Sequence, residues 1–321
     1  MTNYFKILSI IFLSFFIISC DDDNDDGVCC AGSSIVDLAS ETESLSTLVS
    51  ALQLTGLDAT LSSPGAFTVL APTNDAFDAF LTSINAASLD DIPVDVLTNV
   101  LLNHVFLGEV QSSALTNGYA STQAISNASD TNMSIYINTD NGVIFNGVSS
   151  VTTADVVASN GIVHIVDSVI GLPTVVTFAL ADPNFEILVQ ALTRDDLTMD
   201  FVGLLNSSTS PPTPLTVFAP VNNALVNLLD ELGLSGLIDI DEPTLSAVLT
   251  YHVVTGANQL SINLSDGMEF TTAGEGILLF NFGDNGEGIL TDNNGRTSNI
   301  VAVDVQANNG IIHAIDTVVL P

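Results

Sequence analysis

Positive charge is almost missing from this 321-residue chain. Lys6, Arg194 and Arg296 are its only cations, against 37 Asp and Glu, for a net charge of −34. Such a chain offers no basic surface for nucleic acid, no arginine clamp for phosphate and no attraction to anionic lipid. Charged residues make up 12% of the whole, roughly half the usual share. Tryptophan is absent and cysteine occurs only at positions 20, 29 and 30. Cys29 and Cys30 are adjacent and cannot staple a fold, so any domain here stands on core packing. They read as tether positions, with a vicinal or intermolecular disulfide as the other outcomes. The chain also lacks a Gly-x-Ser-x-Gly elbow, a His-Glu-x-x-His pair and a phosphate loop. What is present in quantity is apolar residue, 47%, which excludes a disordered chain and provides for a real core across about two domains.

The first stretch reads as an address. Lys6 precedes an apolar run over residues 7–18, too short to span a bilayer comfortably and of the length of a secretory core. Ser19-Cys20 follows at once, and a small residue then Cys in that place resembles the bacterial lipoprotein signal. The resemblance implies cleavage of residues 1–19 and acylation of Cys20, the expected lipid attachment site; more than one acyl chain anchors stably. Cleavage removes Lys6 and no acid, leaving two Arg against 37 acids. Residues 20–31 open with five Asp within seven positions after Cys20, a self-repelling run suited to a solvated tether. An acidic run in that place resembles the surface-export signal of Bacteroidetes lipoproteins. Asp22, Asn24, Asp26 and Gly27 also fit the opening of an EF-hand, but the twelfth position is Ser33 instead of Glu.

The remainder is one unit written twice. Phe67-Thr-Val-Leu-Ala-Pro-Thr-Asn-Asp-Ala-Phe77 returns as Leu215-Thr-Val-Phe-Ala-Pro-Val-Asn-Asn-Ala-Leu225, 148 residues on. His104 returns as His252 at the same offset, and the Asn-Gly-x-x-His segment beginning at Asn160 returns at Asn309, an offset of 149. Leu172-Pro173 returns as Leu320-Pro321. Such landmarks mean tandem duplication, with units at 32–172 and 173–321. Each copy opens with an amphipathic helix: Leu45, Leu48, Val49 and Leu52 in the first, Phe185, Leu188, Val189 and Leu192 in the second. The offset there is 140, so the second copy gains eight residues, which residues 207–212 would hold as a surface loop. A short strand follows, ending at Ala-Pro, and Asn74 and Asn222 suit the N-cap of the next helix. Leu97, Val100, Leu101 and His104, repeated as Leu245, Val248, Leu249 and His252, place each first histidine on a buried helical face. The rest of each copy is β-rich, with Asn-Gly pairs at its turns and a last strand over 162–170 and 311–320.

These three ordered motifs, each present twice, resemble the fasciclin (FAS1) domain family. The resemblance implies an α+β fold, two tandem domains in which helices pack around a wedge of mostly antiparallel strands. The family's central Tyr-His motif is intact at Tyr251 and His252, whereas Asn103 stands in the Tyr position beside His104. The closing motif supplies His164 with Asp167 and His313 with Asp316. These eight residues are the candidate structural or interaction positions. If the central motif contributes to receptor contact, as the resemblance suggests for some animal relatives, the first copy is the weaker one.

For the four histidines, apolar surroundings favour neutral core imidazoles bonded to backbone or carboxylate. Metal ligation and catalysis compete with that role, and a Ser-His-Asp set assembled from distant parts of the chain stays open. The three-residue spacing of His164 to Asp167, and of His313 to Asp316, puts each pair on opposite faces of a strand and disfavours a local dyad. No cofactor, metal site or enzymatic activity is expected. The expected function is adhesion or interaction at the surface of a bacterial outer membrane, reached through the lipid anchor alone, with an unknown protein or glycan on a cell or in a matrix as partner. Glycan capture for nutrient uptake is the alternative, with a hydrolase behind it. The absence of Trp argues against aromatic sugar platforms. Calcium or salt is expected to stabilise so acidic a surface.

Overall fold

A computed structural model describes residues 32–207 and 213–321. The signal segment 1–19, Cys20, the tether 20–31 with Cys29 and Cys30, and residues 208–212 of the expected insertion lie outside them. The first copy carries helices α1 (Ile35–Glu41), α2 (Ser46–Thr55), α3 (Leu57–Leu61), α4 (Asn74–Ser83) and α5 (Val94–Leu102). Its strands are β1 (Phe67–Pro72), β2 (Val105–Leu107), β3 (Gly118–Ile125), β4 (Asn132–Asn138), β5 (Ile144–Phe145), β6 (Ser149–Ala158) and β7 (Gly161–Val166). The second copy repeats the series with α6 (Val175–Ala181), α7 (Glu186–Leu192), α8 (Phe201–Asn206), α9 (Asn222–Leu232) and α10 (Glu242–Tyr251). Its strands are β8 (Leu215–Pro220), β9 (Val253–Thr255), β10 (Met268–Thr271), β11 (Ile277–Phe282), β12 (Gly288–Thr291), β13 (Thr297–Gln306) and β14 (Gly310–Ile315).

Each copy builds one seven-stranded sheet, in the order β2-β1-β7-β6-β5-β4-β3 and β9-β8-β14-β13-β12-β11-β10. The pairing is antiparallel except where β1 meets β7 and β8 meets β14, so the first-motif strand lies parallel to the closing-motif strand. β1 and β8 are buried on both faces and apolar apart from Thr68 and Thr216, as strands covered on both sides must be. Helices cover one face over Leu45, Leu48, Phe77, Leu97 and Val100 in the first copy. Leu70, Ile135, Phe145 and Ile170 form a second cluster in the same copy. Phe218, Phe280, Leu290 and Ile315 repeat that second cluster in copy two.

The sequence pattern and the fold differ in four places. β1 runs two residues past Leu70, through Pro72, because the last demand from the β2 side is the Leu70 N–H bond to the His104 carbonyl. β7 and β14 stop at Val166 and Ile315, short of the expected ends. Each copy begins one helix earlier than periodicity indicated, with α1 and α6 of seven residues apiece, too short to register in an amphipathic window. Capping boxes set their starts, Ser34 with Asp37 and Thr174 with Thr177. Finally, Asn74 and Asn222 do not cap α4 and α9 but are their first residues. Thr73 caps α4 through the Ala76 N–H, while Asn74 reaches back to accept the Thr47 N–H at 2.9 Å and donate to the Glu43 carbonyl at 3.0 Å. Asn222 does the same with Ile187 and Pro183, tying the first-motif turn to the helix 35 residues upstream.

Gly32–Pro321 forms one body in which the two copies keep separate cores. Their junction is mainly polar. The Gln306 side chain, 3% exposed, donates to Ser126 Oγ and Asn258 Oδ1 and accepts from Asn258 Nδ2 and Thr131 Oγ1. Its backbone N–H donates to Ser134 Oγ at 3.0 Å, and Ser126 Oγ donates to the Ala307 carbonyl at 2.6 Å. Tyr119 and Tyr136 supply the apolar part: Tyr136 joins the helical core of copy two, and Tyr119 meets Phe178 edge-on and donates to Asp182 at 3.0 Å. Burial pushes the Tyr136 phenol up to about 12.

Candidate interaction site: the central and closing motifs

The last carbonyls of a helix have no partner within it, and each copy uses histidine to supply one. His104 follows the Asn103 C-cap of α5, and its ring folds back so that Nδ1–H donates to the Val100 carbonyl at 2.8 Å. A carbonyl only accepts, so the proton sits on Nδ1 and Nε2 is the acceptor. Nε2 takes the Ile170 N–H at 2.9 Å. Enclosure in apolar surroundings lowers the imidazole pKa to about 4, so the ring is neutral near pH 7. Asn103, fully buried, donates to the carbonyls of Gly171 at 3.0 Å and Ile170 at 3.4 Å, and accepts from Thr122 Oγ1. The central motif thus welds α5 to the segment that follows the closing motif.

In the second copy His252 Nδ1–H donates to the Val248 carbonyl at 2.7 Å, and burial again lowers its pKa to about 4. Its Nε2 has no partner among the described residues. Tyr251 is 0% exposed, donates from its hydroxyl to the Ile277 carbonyl at 2.6 Å and accepts the Asn293 N–H at 3.3 Å. Gly276 lies flat on its ring, where a Cβ would fall 2.0 Å from Tyr251 Cε2. A ring so enclosed offers no surface to a macromolecular partner.

The closing-motif histidines are equally committed. His164 Nε2–H donates to the Val110 carbonyl at 3.0 Å, and Nδ1 accepts the Asp155 N–H at 3.2 Å. His313 repeats this with the Gln259 carbonyl at 2.8 Å and the Asp304 N–H at 3.4 Å, and burial lowers its pKa. Asp167 and Asp316 do not meet these rings. They accept the N–H groups of Ser150 and Asn299 on the neighbouring strand. The carboxylates beside the histidines are Asp155 and Asp304, at φ 60° in bulges of β6 and β13. Asp155 accepts from the N–H and hydroxyl of Ser112, and Asp304 from those of Ser261. These hydrogen bonds hold the Asp155 carboxyl below its ordinary range.

Two groups of residues were not among the eight candidate positions. Asp155 and Asp304 each stand nine positions before the closing histidine, an offset of 149 that was readable in the repeat. Asn160 and Asn309 open the closing motif and latch each copy to its own first helix. Asn160 accepts the Ile35 N–H at 2.9 Å and donates to the carbonyls of Leu61 and Ser63. Asn309 accepts the Val175 N–H at 3.0 Å and donates to those of Leu205 and Ser207. The glycine after each lies so close to the first-motif strand that a Cβ on Gly161 would sit 2.1 Å from the Phe67 carbonyl oxygen. Only glycine tolerates that approach.

Three of the four histidines therefore spend both ring nitrogens on the backbone, and none of the four sits in a local His-Asp dyad three residues apart. Among the described residues no group of three His, Cys, Asp or Glu is placed to hold a metal ion. No single described helix is long and apolar enough to cross a membrane. Concave surface lies elsewhere, as in an open groove of about 950 Å³ between α5 and residues 125–130, with Asp95 and Asp130 on its walls.

The fasciclin domain profile matches residues 43–173 and again residues 183–321. Protein sll1483 of Synechocystis is 34% identical over 137 residues, which cover 43% of this chain and 72% of that protein. Human periostin is 25% identical over 235 residues, 71% of this chain and 25% of its own length. The pig transforming growth factor-beta-induced protein ig-h3 is 26% identical over 263 residues, 81% of this chain and 35% of its own. Among solved structures, the FAS1 domain pair from the insect cell adhesion molecule fasciclin I superposes with a TM-score of 0.52 at 20% identity, covering 88% of this chain and 98% of that one. That likeness concerns the fold. With the profile matched twice over most of its length, this chain belongs to the fasciclin domain family and carries two tandem copies of the domain.

Proposed function

We propose that the protein is an adhesion or interaction module held at a bacterial outer surface by a lipid on Cys20. Fasciclin domains occur in cell adhesion proteins, the insect fasciclin I pair among them, and that supports an adhesion-type role. The observation that carries the reading is the repeated match of both copies to that domain. It accords with the way the motif side chains are used: their polar groups go mainly into latches within each copy, so partner contact falls to exposed surface. Two copies in series raise avidity for a repetitive partner on a cell or matrix. Glycan capture gains no support from aromatic platforms, since Tyr136 and Tyr251 are buried and Tyr119 is committed to the junction.

The test uses cells that carry the chain. Deletion is expected to reduce attachment to matrix or neighbouring cells, with attachment restored by the full chain. A Cys20→Ser chain is expected to leave the membrane fraction and restore nothing. Unchanged attachment on deletion removes the adhesion reading, and membrane retention of Cys20→Ser removes the anchor.

A further inference from the structure

We propose that the first copy holds a binding site for a small, neutral, bicyclic aromatic molecule, at a place that the second copy occupies with its own side chains. A cavity of about 320 Å³ opens in the second apolar cluster of the first copy, where Leu70, Phe106, Ile137 and Phe145 meet the segment 110–120. Leu70 and Phe145 on its wall are fully buried, whereas Ala114, Thr116 and Asn117 are exposed, so it opens to solvent on their side.

The duplication shows what this place lacks. Gly118 faces Ile137 and Ala120 faces Ile135 between β3 and β4, as Met268 faces Phe280 and Phe270 faces Leu278 between β10 and β11. The next strand pairs keep the same register, Ile137 with Phe145 and Phe280 with Leu290. Leu70 matches Phe218 in the repeated first motif. Where the second copy carries Phe218, Met268, Phe270 and Phe280, the first therefore carries Leu70, Gly118, Ala120 and Ile137. In the second copy the rings of Phe218 and Phe270 lie 5.4 Å apart, both buried, and Phe218 stacks on His313 at 5.7 Å. In the first copy the matching His164 belongs to the cavity wall. Phe106 in place of Val254, and Phe145 in place of Leu290, return only part of the missing side-chain volume. Strand pairing is kept while ring-bearing side chains are absent, and the cavity is the remainder.

The class of ligand follows from what the second copy seats there. Its occupants are phenyl rings and a thioether chain, so flat apolar groups suit the place. The cavity wall carries neither cation nor carboxylate, and residues 32–172 contain no Lys or Arg, so a charged ligand would lose water without gaining a partner. A cavity of about 150 Å³ holds benzene, so about twice that volume takes two fused rings with one polar substituent. Small-ligand pockets begin near about 300 Å³. Half-buried Val110, Leu115 and Ala120 offer apolar contact, and exposed Thr116 and Asn117 leave the polar substituent in water at the mouth. This site stands apart from the surface role proposed above, and neither depends on the other.

The test is calorimetric titration of the full chain at pH 7 with 2-naphthol, which is neutral there, and separately with 2-naphthoate, which is an anion. 2-Naphthol is expected to bind one-to-one and at least about ten-fold more tightly than 2-naphthoate, whose charge finds no partner in the cavity. In ¹³C methyl NMR, 2-naphthol is expected to move the resonances of Val110 and Leu115 and to leave those of Leu278 and Leu290, in the filled cluster of the second copy, in place. Ala120→Phe, which supplies the ring that Phe270 provides in the second copy, is expected to abolish binding without lowering the melting temperature. If Ala120→Phe fails to fold, the methyl shifts of the unaltered chain decide. No saturable binding of 2-naphthol, 2-naphthoate bound as tightly, shifts centred away from the cavity, or binding intact in folded Ala120→Phe would each overturn the proposal.

Discussion

Each histidine of this protein lies within reach of a backbone carbonyl, and the burial of His104 and His252, which outweighs that hydrogen bond, makes stability depend on pH. An unfolded imidazole takes a proton near pH 6.5, whereas His104 and His252 in the fold take one only near pH 4. Between those values the unfolded chain holds more protons, so acidification favours unfolding. The loss from pH 7 to pH 4 is about 3 kcal/mol per histidine at most. Urea unfolding at pH 7.5, 6 and 5 is expected to show a steady fall, and a flat profile would contradict the neutral, buried rings. The latch asparagines give a second outcome at this scale. Asn309→Ala leaves the Val175 N–H and two carbonyls unpaired in a buried site, and is expected to cost roughly 3 kcal/mol in the same measurement.

At the scale of elements, the repeat reveals joints that no single helix or strand pattern contains. The Asp155 bulge bends β6 so that His164, on β7, reaches the Asp155 N–H while the Asp155 carboxylate holds Ser112. Its φ of 60° is the left-handed region, costly for any residue with a Cβ. Asp155→Gly and Asp155→Ala both lose the Ser112 bonds, but only the alanine keeps the strain. The glycine variant is therefore expected to be more stable than the alanine variant by about 1 kcal/mol in thermal or urea unfolding. Equal stabilities would show that the bulge relaxes. Periodicity located α2, α5, α7 and α10, whose apolar faces repeat over two or more turns. It missed α1 and α6 because seven residues hold too few apolar positions, and it misassigned Asn74 and Asn222 because their partners lie about 30 residues upstream.

At the scale of the whole molecule, two forces act in opposite directions. Burial of Tyr136 and the Gln306 network join the copies, so Gln306→Ala is expected to split one calorimetric unfolding transition into two, or to broaden it markedly. A single unchanged transition would show that the junction contributes nothing. Self-repulsion works against the fold: residues 32–172 contain no Lys or Arg, and both arginines of the second copy are already paired, Arg194 with Asp196 and Arg296 with Glu231. Raising salt to about 0.5 M, where the Debye length is only a few ångströms, is expected to raise the melting temperature. An unmoved midpoint would remove charge repulsion as a factor.

The sequence by itself determined the duplication, the α+β class, the order of the motifs and the burial of His104 and His252. Each of those is written locally, in apolar spacing or in a motif that occurs twice. Only the tertiary structure decided which atoms the histidines meet, that Asp155 and Asp304 rather than Asp167 and Asp316 stand beside them, and that the two copies dock through Gln306. Apart from the bonds of His104 and His252 to the carbonyls four residues before them, those contacts join residues that chain distance separates by nine to more than 170 positions, and their geometry follows from strand register and bulges that composition does not encode. The same holds for the open nitrogen of His252. One residue fewer after Asp316 is visible in the sequence, but that the segment then turns to Asp292 is a fact of packing.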